Sequence, residues 1–333
     1  MTVKELKEVI RSKKKKDLEE IVLVLYKNLP KKVITENGID QIIMMQAAEP
    51  SKINTDQKDM ALLKELTIFT QNLYEGNYGV PNRIIPKNKR SKWRFEAMNY
   101  YKEVVKSFPQ SKIKKELADA FGQLYSILCY GCNYYIVSST DTFGSIQKNQ
   151  VSFFRQVIEF KKEVYIGKEL YDHIWNHLTY IGLSYDTLQS ELYAVVAESF
   201  ESPEAIESLI EIGKQFLQKE IEKLKLEQKK NKYASTYDVE KIITGIAILM
   251  LKINDYEAVK SIYNNHKYVF SDNEIMYYVM VKTYLHYGYH PNTKILEILN
   301  EALIQKIKLR DSLQKLHAQL TGNIDTKKEE IRL

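Results

Sequence analysis

Apolar residues recur at three- and four-residue steps along almost the whole of this 333-residue chain. That is the period of an amphipathic helix, and sustained apolar-polar alternation of the strand kind is hard to find. The pattern predicts a helix from Val3 to about Arg11 and, after a run of lysines, a second from Asp17. Asp17 and Glu20 have capping-box spacing, and Leu18, Ile21, Val22 and Leu25 form the apolar stripe. A helix over 56–75 follows, then a loop rich in turn formers, GNYGVPNRIIPKNKRSK. An antiparallel pair is expected at 93–108 and 111–130, because Pro109 stops one helix and Ser111 can cap the next. Beyond the polar stretch SSTDTFGSIQKNQ, helices are expected at 151–165, 168–181 and 187–200. Ser202 as N-cap with Pro203 at the first helical position starts another, to about 225, and four more fall at 238–253, 255–264, 272–287 and 293–325.

Helix pairs of this length joined by short turns are the units of α-solenoids. The expected fold is therefore all-α, with antiparallel helix pairs stacked as an α-solenoid-like body, a degenerate form of tetratricopeptide or HEAT repeats. It divides into an N-terminal helical domain over 1–200 and a C-terminal helical-repeat region over 201–333 that ends in the long helix 293–325. In that helix Leu299, Leu309, Leu313, Leu316 and Leu320 continue a seam of four- and three-residue steps begun at Ile295, interrupted by Lys306. Such a seam either pairs with a partner helix, including that of a second copy, or packs on the body as a last repeat.

Composition sharpens this picture. Only 12 Gly and 7 Pro argue against a turn-rich β-protein, and 44% hydrophobic residues suffice for a sizeable core. The longest apolar run, IITGIAILML, suits a buried helix and is too short to span a membrane. Charged residues interrupt the N-terminus where a secretory leader would be apolar, so a cytoplasmic protein with reduced cysteines and no membrane partner is expected. The net charge of +6 is concentrated: residues 1–95 hold 19 Lys+Arg against 12 Asp+Glu.

Three segments, VKELKEVIRSKKKKDLEEIVLVLYKN, ADAFGQLYSILCYG and YIGLSYDTLQSELYAVVAE, resemble the bacterial helical domain-of-unknown-function family numbered 6155 over about residues 1–200. The resemblance implies a helical fold and a bacterial setting. It implies no chemistry, and where that family continues its Ile-Gly stretch with an aromatic residue, Gly and a His-Asp pair, this chain has Leu183, Ser184, Tyr185 and Asp186 after Gly182.

Candidate chemistry is sparse. Cys129 and Cys132 form a C-x-x-C pair, and His173 and His177 stand four apart on one helix face, so the four make a possible tetrahedral zinc set. Forty residues separate Cys132 from His173, where a compact finger has about 12 to 15. The alternative is two small buried residues near a helix end and two histidines flanking Trp175. A redox pair would need a helix N-terminus beside a sheet, and the cysteines lie near the end of a helical segment. The loop 82–95 carries Arg83, Lys87, Lys89, Arg90, Lys92 and Arg94 around Trp93 without an acid, a pattern that suits a nucleic acid or another anionic partner, or equally a solvated loop anchored by Trp93. Tyrosine is abundant at 24 residues, which fits both interfaces and the edges of helical repeats. No phosphate loop, dinucleotide fingerprint or nucleophile elbow occurs. The expected function is a non-catalytic binding or scaffold subunit of a bacterial protein complex, without cofactor and with a protein partner. A nucleic-acid binder using 82–95 is the alternative, followed by a zinc-stabilised domain or an enzyme of unrecognised type.

Overall fold

A computed structural model of the chain describes residues 9–10, 12–30, 33–34, 39, 55–79, 86, 91–179 and 181–322. The backbone forms two compact units, Met1–Lys58 and Asp59–Leu333. Among the described residues there are fourteen α-helices and no strand; one isolated parallel bridge joins Tyr78 to Val137. The all-α expectation holds.

In the first unit α1 spans Lys15–Asn28 and begins two residues before the expected start, which puts Asp17 in the first turn at the positive end of the helix dipole. Ile21, Val22, Leu23, Val24 and Leu25 along it are exposed. Of the helix expected over 3–11 only Val9 and Ile10 lie among the described residues, and both are helical.

The remaining helices are α2 (Thr55–Tyr74), α3 (Trp93–Ser107), α4 (Lys114–Asn133), α5 (Thr142–Ser145), α6 (Gln150–Val164), α7 (Gly167–Leu178), α8 (Gln189–Ser199), α9 (Pro203–Lys230), α10 (Tyr237–Lys252), α11 (Tyr256–Asn265), α12 (Asn273–Tyr287), α13 (Asn292–Ile304) and α14 (Asp311–Leu320). Their starts follow local chemistry. Asn149, Ser202, Asp255 and Asp272 each accept a backbone N–H of the first turn, capping α6, α9, α11 and α12. In α4 the buried positions Leu117, Phe121, Leu124, Tyr125 and Leu128 fall on the helical period.

In the Asp59–Leu333 unit alternate helices stack on one another: α4 on α6, α6 on α8, α8 on α10 and α10 on α12, with α7 on α9. The division placed at residue 200 thus falls inside one compact unit, across which α7 meets α9 and α8 meets α10. α10 is the central element, packed against α8, α9, α11 and α12, and its IITGIAILML run is buried nearly all round, as a helix apolar on every face must be. The α7–α9 contact is made by Trp175, whose Nε1 donates to the Leu209 carbonyl at 2.9 Å. Gly213 permits it, since a Cβ there would stand 2.3 Å from the indole.

The long helix 293–325 is not continuous. It breaks after Ile304, where Lys306 takes φ +57°, and α14 starts at Asp311. Arg310 clamps this corner: its Nε and Nη2 donate to Glu274 at 2.8 and 2.6 Å, and its guanidinium lies 3.8 Å from the centre of the Tyr278 ring. The seam residues turn inward. Leu299, Leu309, Leu313 and Leu316 are buried, and Leu320 packs partly buried against the same core. A seam spent on the chain's own core offers no face to a partner helix or a second copy.

Candidate functional site

One face of α4 carries Asp119, Gln123, Ser126, Ile127 and Tyr130, spaced to point the same way. Opposite them stand Thr70, Gln71 and Tyr74 of α2, Lys161 of α6, and His173 and His177 of α7. Together they line an open cleft of about 780 Å³.

Its floor is an ionic cluster. The Lys161 side chain is 3% exposed and ion-paired with Asp119, which is 36% exposed. Tyr165 Oη donates to both Asp119 oxygens, at 2.7 and 2.8 Å. The Tyr165 ring lies 4.8 Å from the Lys161 ammonium and 4.2 Å from the His173 ring. Burial pushes the Lys161 ammonium below its usual range, opposed by the hydrogen bond and charge of Asp119. Burial acts on Asp119 in the raising direction, but the hydrogen bonds from Lys161 and Tyr165 outweigh it and hold the carboxyl below its ordinary value. Burial and Asp119 push the Tyr165 phenol up.

The two histidines of the expected zinc set face this cluster. His177 Nδ1 is 3.0 Å from Ser126 Oγ, and a Cβ on Gly122 would stand 2.9 Å from His177 Nε2 and 3.4 Å from Lys161 Cε. A helix-interior glycine costs about 1 kcal/mol relative to alanine; here it gives both side chains passage across α4. Burial, then the Lys161 charge, push His177 down to about 3, and the same two causes lower His173. Both imidazoles are therefore neutral at neutral pH.

The cysteines point elsewhere. Cys129 is buried, and its Sγ accepts from Gln150 Nε2 at 3.4 Å; Cys132 Sγ is 3.2 Å from Thr142 Oγ1. Burial pushes both thiols up, away from the thiolate that metal binding and redox exchange require. Gln150 also donates to the Gly182 carbonyl at 3.0 Å and accepts from Ser184 N–H at 2.8 Å, so Cys129 sits in a buried bracket that ties α4 to the segment after α7. Cys129, Cys132, His173 and His177 do not converge, and no group of three or more metal-ligating side chains forms among the described residues. The zinc set is corrected on that ground: α4 turns Cys129 into the core and half-buried Cys132 against Thr142, while α7 turns its histidines to the cleft.

Of the basic loop, Arg83, Lys87, Lys89 and Arg90 lie outside the described residues, and Lys92 and Arg94 are exposed. Trp93 is 1% exposed in the first turn of α3. Its ring is a core anchor and is not presented for base stacking. No helix among the described residues is long and apolar enough to cross a membrane.

Ser126 and His177 come closest to a nucleophile and base. Ser126 lies inside α4, where the backbone N–H groups are engaged in the helix. Asp119, Lys161 and Tyr165 were absent from the sequence reading. Their i, i+4 spacing in α6 and its end was visible, but the convergence with Asp119 depends on how α4 and α6 stack. Compared with known protein families, curated proteins and solved structures, the chain matches none.

Proposed function

We propose that the protein is a non-catalytic binding subunit whose working surface is the cleft between α2, α4 and α7. The carrying observation is a division of labour in that cleft. On its floor Lys161 and Tyr165 engage Asp119, His177 engages Ser126, and the His173 ring packs beside Tyr165. The rim, by contrast, presents exposed Tyr74, Tyr130 and Gln123, and tyrosine supplies large rigid contact area with a polar tip. Stacked helix pairs below it act as a rigid scaffold, which supports a role in a larger protein complex.

The test is capture of a partner by the immobilised protein at about 50 and about 200 mM salt, repeated with Gln123→Trp, which fills the cleft from an exposed position. The proposal expects a partner that survives the salt change and is lost from the variant. A partner bound equally by both proteins refutes the cleft as the working surface, and binding that collapses over that salt range indicates phosphate-backbone recognition instead.

A further inference from the structure

Resting on that reading, we infer that the occupant of the cleft is an uncharged, proline-rich segment in the polyproline II conformation, held across a tyrosine ridge. Tyr74, Tyr130 and Tyr134 form a continuous exposed aromatic surface. Ring centroids are 6.0 Å apart for Tyr74 and Tyr130, and 4.3 Å apart for the stacked Tyr130 and Tyr134. The three side chains are 64%, 36% and 55% exposed. Solvent-exposed aromatic area gathered in one place marks a contact surface more often than chance decoration.

Tyr130 also walls a second cleft, of about 660 Å³, lined by Asn133, Tyr134, Tyr237, Asp238 and Lys241 among others. The ridge therefore has a concavity on either side. A polyproline II helix has three residues per turn and rises about 3.1 Å per residue, so it presents a prolyl ring on the same side roughly every 9 Å. Such a helix can lay its prolyl rings along the stacked tyrosines, the manner in which proline-rich segments use aromatic-lined grooves.

Charge and hydrogen-bonding capacity select the same ligand. In each cleft the cation is matched: Lys161 pairs with Asp119, and Lys241 lies 3.8 Å from Asp238 and over the Tyr237 ring. No unmatched charge calls for a phosphate or a carboxylate. Besides these charges the two clefts offer a ligand tyrosine hydroxyls, the Gln123 and Asn133 amides and the His173 imidazole, each able to donate a hydrogen bond. A proline-rich segment is rich in carbonyl acceptors, has no N–H at its prolines, and leaves its backbone fully available. An oligosaccharide would also stack on tyrosine, and cellohexaose is the competitor that separates the two ligands. The preformed polyproline helix adds little ordering cost on binding.

The experiment titrates fluorescein-labelled decaproline with the full-length protein and reads anisotropy, with a glycine-serine peptide of equal length and cellohexaose as competitors. Saturable binding that is displaced by unlabelled decaproline alone, persists between about 50 and 200 mM salt, and weakens at least about tenfold in Tyr130→Ala/Tyr134→Ala is the expected result. Both tyrosines are exposed, and circular dichroism confirms that the double variant is folded; Asn133→Ala serves as a second, milder variant. Absence of saturable binding up to millimolar protein, binding unchanged in the double variant, or displacement by cellohexaose overturns the inference. If decaproline fails while Gln123→Trp still abolishes partner capture, the ligand class falls and the binding cleft stands. If partner capture survives Gln123→Trp, the cleft reading itself has failed.

Discussion

Replacing Asp119 by alanine removes the one carboxylate that the buried Lys161 ammonium touches. Breaking a buried ion pair by deleting one partner costs about 3–5 kcal/mol when both ends are dry, because the charge left behind is uncompensated. Here only the lysine end is dry: its side chain is 3% exposed, against 36% for Asp119. Water can enter where the carboxylate stood, so the expected loss is smaller, about 2–3 kcal/mol. Tyr165 loses its acceptor in the same step. At roughly 2–4 °C per kcal/mol for a unit of this size, the melting temperature should fall by about 5 °C or more. Lys161→Met keeps the apolar stem and removes the charge, so it should cost under about 1.5 kcal/mol. The double variant Asp119→Ala/Lys161→Met should recover most of what the first change loses. Urea unfolding followed by circular dichroism, with calorimetry alongside, measures all three at neutral pH. If Asp119→Ala stays within about 0.5 kcal/mol of the parent, or the double variant is no better than the single, the cluster is not the buried pair described here.

Three further outcomes are expected. His177 is pushed down to about 3 from 6.5, a depressed value, so its contribution is present above 6.5 and is lost as pH falls from there toward 3. Urea unfolding between pH 7 and 5 should show up to about 1.4 kcal/mol lost per pH unit from this site, and His177→Gln should flatten that slope. Gly122→Ala should destabilise, reversing the usual gain of about 1 kcal/mol for such a change in a helix, since the new Cβ meets His177 Nε2 at 2.9 Å; a variant with a raised melting temperature would contradict this crossing. Leu313→Ala should cost about 2–5 kcal/mol by leaving a core cavity, with partner capture by the still-folded protein unchanged; a stable variant that loses its partner would restore the C-terminal seam as an interface.

Helical periodicity and capping were legible because both are local. Ser202 and Pro203 mark the start of α9 where the residues alone placed it, and the all-apolar run of α10 is buried as its composition requires. The break between α13 and α14 was not legible. Ile295, Leu299, Leu309, Leu313 and Leu316 keep a helical step across it, and the corner between the two helices is held by Arg310 reaching Glu274, 36 residues away. Short-range chemistry also hid the helix Thr142–Ser145, whose cap Asp141 lies in a polar stretch that reads as loop.

The site failed to show for a related reason, and its failure is informative about what such a site is. Cys129 and Cys132 drew notice because their spacing matches a chemical motif, yet α4 spends them on a core bracket with Gln150 and on a contact with Thr142. Asp119 and Tyr130, on the same helix, match no motif and line the cleft. A motif is legible only where neighbouring residues carry the chemistry together, as the C-x-x-C spacing does. The cleft instead gathers its aromatic and hydrogen-bonding groups in space, from four separate stretches, α2, α4, α6 and α7. Gly122 is the one residue that shows the assembly had a steric requirement. Its missing side chain leaves room beside α4 for Lys161 and His177, which meet Asp119 and Ser126 there.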